Sequence, residues 1–186
     1  MGKRVNRPAV REGYDLWSET YDTIPNPLVA LDRRYTITLL DPQPAEAVLD
    51  AGCGTGVHLG PMLFAKSAPV GLDLSRGMLR MARRKYPSVP LAQADLNDRL
   101  PIHRRIFDAV LYALVSEHLT RLAHLFREFF DSLAFGGRLV FSAFHPELAA
   151  VQQASYWGKR HEDRTHLREP GRRVSHRRVG NRVGAQ

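Results

Sequence analysis

A single cysteine, Cys53, stands in 186 residues, so an intramolecular disulfide framework is excluded and a reducing compartment, the cytoplasm, is expected. Long apolar runs are missing as well. The longest, Ala109–Val115, falls far short of a membrane span. The first twenty residues hold no apolar core followed by a small-residue cleavage site, which argues against a secretory signal. No internal repeat is present. Excess charge of one sign is lacking over most of the chain: residues 1–150 carry 18 Lys+Arg against 16 Asp+Glu, whereas residues 151–186 carry 9 against 3. The net charge of +8 and the pI near 10.1 therefore belong mostly to the tail, and the body has no charge that points to nucleic acid.

What remains is globular: 44% hydrophobic and 25% charged residues, enough for a real core in one domain over 1–147. Helical segments are expected in Ala9–Ile24, broken by Pro25-Asn26-Pro27, and in Leu28–Leu40. Strands and helices then alternate. Val48–Ala51, Val70–Leu74, Val89–Ala94, Phe107–Ala113 and Arg138–Phe144 are expected strands. Val57–Ala65, Arg76–Tyr86 (with Ser75 as N-cap) and Leu119–Ala134 (stopped by Gly136-Gly137) are expected helices. Alternation of this kind implies an α/β fold with a Rossmann-like, doubly wound parallel sheet of about five strands, and ligands bind such sheets at the carboxyl ends of the strands. From Leu148 the composition shifts to Arg, His and Gly without periodicity, and a basic, disordered tail over 148–186 is expected.

The chemistry concentrates in Val48-Leu49-Asp50-Ala51-Gly52-Cys53-Gly54-Thr55-Gly56. An apolar strand meets a carboxylate and then three glycines at alternate positions, which let the backbone turn tightly and approach a ligand. A dinucleotide loop would require G-x-G-x-x-G. Starting from Gly52 the third glycine position is Val57, and from Gly54 it is Leu59, so neither frame fits. Asp50 beside the loop would repel a pyrophosphate but attract an ammonium and a sulfonium, which favours S-adenosylmethionine. Asp73, in Gly71-Leu72-Asp73-Leu74-Ser75, ends the second strand where a carboxylate can take both ribose hydroxyls; two such bonds contribute roughly 1.5–3 kcal/mol each.

The D-x-G-x-G-x-G pattern from Asp50 to Gly56 resembles motif I of the class I S-adenosylmethionine-dependent methyltransferases. Further segments extend the resemblance over roughly residues 10–147. Ala92-Gln93-Ala94-Asp95-Leu96 resembles the adenine-binding segment, which implies that Asp95 accepts from the exocyclic amine and that the Leu96 N–H meets the ring. Phe107–Leu119 is similar to the strand-four segment of the type 11 group, implying that Tyr112 to Leu114 line the pocket near the methionine moiety. Tyr14–Asp22 resembles the N-terminal helix of the same group, whose aromatic residues, here including Tyr21, lid the cofactor. No Asn/Asp-Pro-Pro-Tyr follows strand four, which argues against amide or base-amino nitrogens as the acceptor, and Cys53 is not placed as a cytosine C5 nucleophile.

By the resemblance, the strand order is 3-2-1-4-5, and the family's C-terminal antiparallel hairpin is missing or altered, leaving the fifth strand as an open edge suited to oligomerisation. Cofactor contacts are expected from Asp50, Gly52, Gly54, Gly56, Asp73, Leu74, Asp95, Leu96, Tyr112 and Tyr21. A base is needed only where the acceptor must lose a proton; His118 and His145 are the candidates, with Glu117 beside them, whereas His58 is expected to be packed or solvated. The expected function is methylation of a small molecule at oxygen or carbon. The alternatives are a catalytically incomplete cofactor-binding module and an RNA methyltransferase using the basic tail, itself either a polyanion-binding arm or the product of out-of-frame coding. No metal and no membrane partner are expected.

Overall fold

Short apolar runs bounded by turn residues become strands buried on both faces, and the periodic stretches between them become covering helices. The computed structural model describes residues 7–23 and 26–145. In chain order these are helix α1 (Arg7–Trp17), a 3-10 turn (Tyr21–Thr23), α2 (Pro27–Leu40), β1 (Ala47–Ala51), α3 (Leu59–Phe64), β2 (Ala68–Asp73), α4 (Arg76–Lys85), β3 (Leu91–Gln93), β4 (Phe107–Ala113), a second 3-10 turn (Ser116–His118), α5 (Leu122–Ser132) and β5 (Leu133–Ser142). The five strands are parallel and lie in the order β3-β2-β1-β4-β5, the Rossmann-like architecture expected. Residues up to Phe144 belong to one compact unit, and His145 opens another. The expectation of a disordered tail over 148–186 falls outside the described residues. Among those described, no helix is long and apolar enough to cross a membrane.

Strand parity divides the core. Val48, Ala109 and Leu111 face Leu40 of α2, Leu59 and Met62 of α3 and Ala82 of α4. Leu49, Ala51, Val110 and Tyr112 face Leu125 and Phe129 of α5. Burying each large side chain stabilises the fold by roughly 1.5–3 kcal/mol. The helices start where capping side chains allow. Asn26 Oδ1 accepts from the N–H groups of Leu28 and Val29, and Ser75 Oγ accepts from that of Met78. Arg138 on β5 fixes the other end of α2: its guanidinium donates to the carbonyls of Leu40 and Asp41 and pairs with Glu46 at 2.6 Å.

Two elements depart from expectation. Helix α3 begins at Leu59, two residues late, because residues 54–57 are used in turns, with Gly56 at φ +83°. Helix α5 ends at Ser132, whose hydroxyl donates to the Phe129 carbonyl, and the strand begins at once with Leu133. Gly136 and Gly137 therefore lie within β5 and not at a helix end. The pairing steps from Phe107 opposite Leu133 to Ala109 opposite Arg138, a bulge that Gly136 accommodates at φ +79°. It leaves Phe135 fully exposed.

Candidate cofactor-binding site

The glycine loop after β1 is stitched to the end of β2. The N–H groups of Gly52 and Cys53 both donate to the Leu72 carbonyl, at 2.7 and 2.9 Å. The Gly54 N–H donates to Asp73 Oδ2 at 2.8 Å, and the Ser75 N–H to Oδ1 at the same distance. Gly52 is at φ +87°, and a Cβ there would stand 2.5 Å from Val115 Cγ2. Gly54 is different: no protein atom lies within 4 Å of where its Cβ would be. It borders a cavity, and the open space beside it is room for a ligand.

That cavity runs along the strand ends. Asp95, Leu96 and Asn97 border it after β3, Asp73 and Leu74 after β2, the glycine loop after β1, and Ala113 to Val115 after β4. The N-terminal segment also lines it, through Tyr14 and Tyr21. Tyr21 stacks edge-on against Trp17 with ring centroids 4.7 Å apart, and the Tyr14 hydroxyl lies 2.8 Å from His118 Nε2. Acidic residues on this segment hold it down. Asp15 receives hydrogen bonds from Ser75 and Gly77, Asp22 from Thr55 and Lys85, and Glu19 pairs with Arg80.

Of the expected site residues, the structure brings Gly52, Gly54, Asp73, Leu74, Asp95, Leu96, Tyr21 and His118 around this one cavity. Four do not join them. Gly56 lies behind the loop, against Leu59 and Tyr86. Asp50 is almost fully buried and does not border the cavity. It lies on the same strand parity as Val48, on the face that α2 and α3 cover. Its Oδ2 has no hydrogen-bond partner, and burial, then Asp73 and Asp32, push its carboxyl up to about 8. A neutral acid inside the fold cannot act as the ammonium-facing carboxylate expected of it. Tyr112, by the same alternation, turns to the α5 face, where its ring meets Phe126 and Phe129. Its neighbours Ala113 and Leu114 line the cavity instead. His145 is exposed and belongs to the second unit.

Local electrostatics follow from burial. Asp73 is pushed up to about 6 by desolvation, against the lowering effect of the Ser75 and Gly54 N–H groups. Loss of water lowers His118 to about 4, so its imidazole is neutral at ordinary pH. The Cys53 thiol is raised by burial and by Asp50 and Asp73, which keeps it protonated and inert.

Three residues at the cavity were not singled out by the sequence. Asn97 is buried. Its amide donates to Asp95 Oδ1, and its Oδ1 accepts from the N–H and hydroxyl of Thr120, so it ties the β3 end to the segment after β4. The Asp-x-Asn spacing of an Asx turn was its available signal. Asp32 of α2 and His58, at the entry to α3, meet across the chain and left no local signal. His58 proves to be buried and at the cavity, not solvated.

A parallel sheet of this order, with a glycine loop clasped by an acid at the end of the second strand, defines the class I methyltransferase architecture. The model of the family described as a methyltransferase domain matches residues 49–141, half of the chain, and the chain belongs to that S-adenosylmethionine-dependent family. It is 33% identical over 149 residues to the demethylmenaquinone methyltransferase of Corynebacterium kroppenstedtii, covering 80% of this chain and 62% of that one. The enzyme of the same name from Streptomyces griseus is 30% identical, with coverages of 73% and 57%. Among solved structures, an S-adenosylmethionine-dependent methyltransferase from Mesorhizobium loti superposes with a TM-score of 0.57 at 30% identity, covering 61% of this chain and 52% of that one. The chain thus spans between half and two thirds of the length of these relatives.

Proposed function

We propose that this chain binds S-adenosylmethionine in the cavity at the strand ends and methylates a small molecule at oxygen or carbon. The carrying observation is the clasp between Asp73 and the Gly54 N–H at 2.8 Å, which sets a carboxylate and an unobstructed glycine on one ligand-sized wall. The residues fit the cofactor. Asp73 would take the ribose hydroxyls, Asp95 and Leu96 the adenine, and the Gly52–Gly54 backbone the methionine portion, with Tyr21 as cover. When bound, the cofactor supplies the electrophilic methyl group. The protein contributes alignment and a dry site.

The small-molecule reading rests on relatives named for a quinone and on the neutral, aromatic character of the lid. A second reading, cofactor binding without turnover, draws support from the share of the relatives' length that the chain spans. RNA as acceptor would depend on the basic segment after residue 150, and association of copies on the outer edge of β5, where Phe135 and Phe141 are exposed.

Calorimetry with S-adenosylhomocysteine tests the shared premise: micromolar binding is expected, with NADH unable to compete. Displacement by NADH would overturn it. Removing residues 151–186 should leave this binding intact while abolishing any retention of RNA. Transfer of labelled methyl groups into a metabolite extract separates an enzyme from a binding module.

A further inference from the structure

The mechanism so far leaves one buried titratable pair at the cavity without a task. Asp32 projects from α2, a helix packed on β4 and β5, and His58 stands at the entry to α3; both line the cavity. Because the sheet runs β3-β2-β1-β4-β5 and the adenosine-side acids lie after β3 and β2, the side of the cavity covered by α2 is the side opposite adenosine. A methyl acceptor has to approach from there.

The hydrogen bonds assign the tautomer of His58. The Thr36 hydroxyl has one hydrogen, and it donates that to the Asp32 carbonyl at 2.8 Å. Thr36 Oγ1 also lies 3.3 Å from His58 Nε2, and Asp32 Oδ2 is 3.7 Å from the same nitrogen. Both neighbours can only accept, so Nε2 carries the hydrogen and Nδ1 the lone pair. An acid behind one ring nitrogen and a lone pair on the other is the arrangement of an oriented general base.

We propose that His58, oriented by Asp32 and Thr36, accepts the hydroxyl proton of the methyl acceptor. This rests on the methyltransferase reading above. The acceptor O–H bond breaks and its proton goes to Nδ1. The electron pair left on oxygen forms the new bond to the methyl carbon, either directly or through a conjugated ring carbon that afterwards sheds its own hydrogen as a proton. The sulfur of the donor keeps the pair of the broken S–C bond. The imidazolium produced is met by the Asp32 carboxylate and then loses its proton to water.

The surrounding charges agree with this role. Burial and the nearby Arg33 guanidinium lower His58 to about 4, so the resting ring is neutral and able to accept. Asp32 is raised by burial, and Asp50 on β1 is near enough to feel its charge.

The test uses the full chain with labelled methyl donor, dithionite-reduced demethylmenaquinone and a set of simple phenols. His58→Gln should bind S-adenosylhomocysteine within twofold of wild type yet lose at least tenfold in turnover. Its residual rate should climb with pH, narrowing the gap as the acceptor ionises unaided. Asp32→Asn should show a smaller loss in the same direction. In nitrogen-15 histidine spectra of the unliganded chain, His58 should be the neutral Nε2–H tautomer. A tenfold loss of S-adenosylhomocysteine affinity in His58→Gln, an Nδ1–H tautomer, or a variant rate that parallels wild type at every pH overturns the proposal. Wild type that binds S-adenosylhomocysteine but methylates none of the probes defeats the acceptor reading instead, and the tautomer then decides the dyad alone.

Discussion

Asp15 Oδ1 and Ser75 Oγ stand 2.6 Å apart, and the same carboxylate oxygen accepts from the Gly77 N–H at 2.8 Å. A residue of α1 thus caps α4, a helix more than sixty residues away in sequence, and seats the N-terminal segment at the cavity. Gly77 makes the approach feasible: a Cβ there would lie 2.9 Å from the Asp15 carbonyl oxygen. Replacing Asp15 by Ala should cost about 1–2 kcal/mol, the value of a lost cap. Hydrogen exchange should quicken along α1 while the strands keep their protection. Unchanged α1 exchange would show that the tether is idle.

Asp73 bears on the ligand directly. Asp73→Ala removes the acceptor for the ribose and frees the Gly54 and Ser75 N–H groups. Affinity for S-adenosylhomocysteine should fall at least tenfold, about 1.4 kcal/mol or more, as read by calorimetry. Equal affinity would show that the ribose lies elsewhere.

Gly52 meets two constraints at once, a left-handed φ and the Val115 side chain. Gly52→Ala should abolish detectable binding of S-adenosylhomocysteine and lower stability by about 1–3 kcal/mol. The double variant Gly52→Ala with Val115→Ala, which removes the clash but leaves the φ strain, should recover only part of the stability in thermal melts.

Asp50 predicts a pH effect. Its folded value near 8 lies above the ordinary carboxylate value of 3.8, so the folded state holds a proton that the unfolded state releases. Stability on this account is full below about pH 4, falls as pH rises towards 8 and levels off above. Asp50→Asn removes the ionisation. Its melting temperature should fall less than that of wild type between pH 5 and pH 9, in unliganded protein. Parallel curves would contradict the assignment.

These cases show what the linear sequence could and could not convey. Strand order and nearly every element were legible because apolar runs and glycine or proline punctuation are local signals. So was the row Gly52, Asp73, Asp95, because each sits at a strand end. The errors at Asp50 and Tyr112 share one origin. Motif position says which strand a residue occupies, but parity decides which face it meets, and one residue of difference sends the side chain into the core. The α5–β5 junction misled because a glycine pair that commonly stops a helix here forms a bulge. Asp32, Thr36 and His58 gave no sign, since a contact across 22 residues depends on how α2 lies over the sheet.

The clamp of Arg138 on the last turn of α2 gives that helix a fixed rotation about its own axis. A change on β5, remote from any ligand, would turn α2 by a few degrees and swing Asp32 away from the imidazole it faces. Selectivity among acceptors can therefore be tuned from the back of the sheet, by residues that no substrate ever touches.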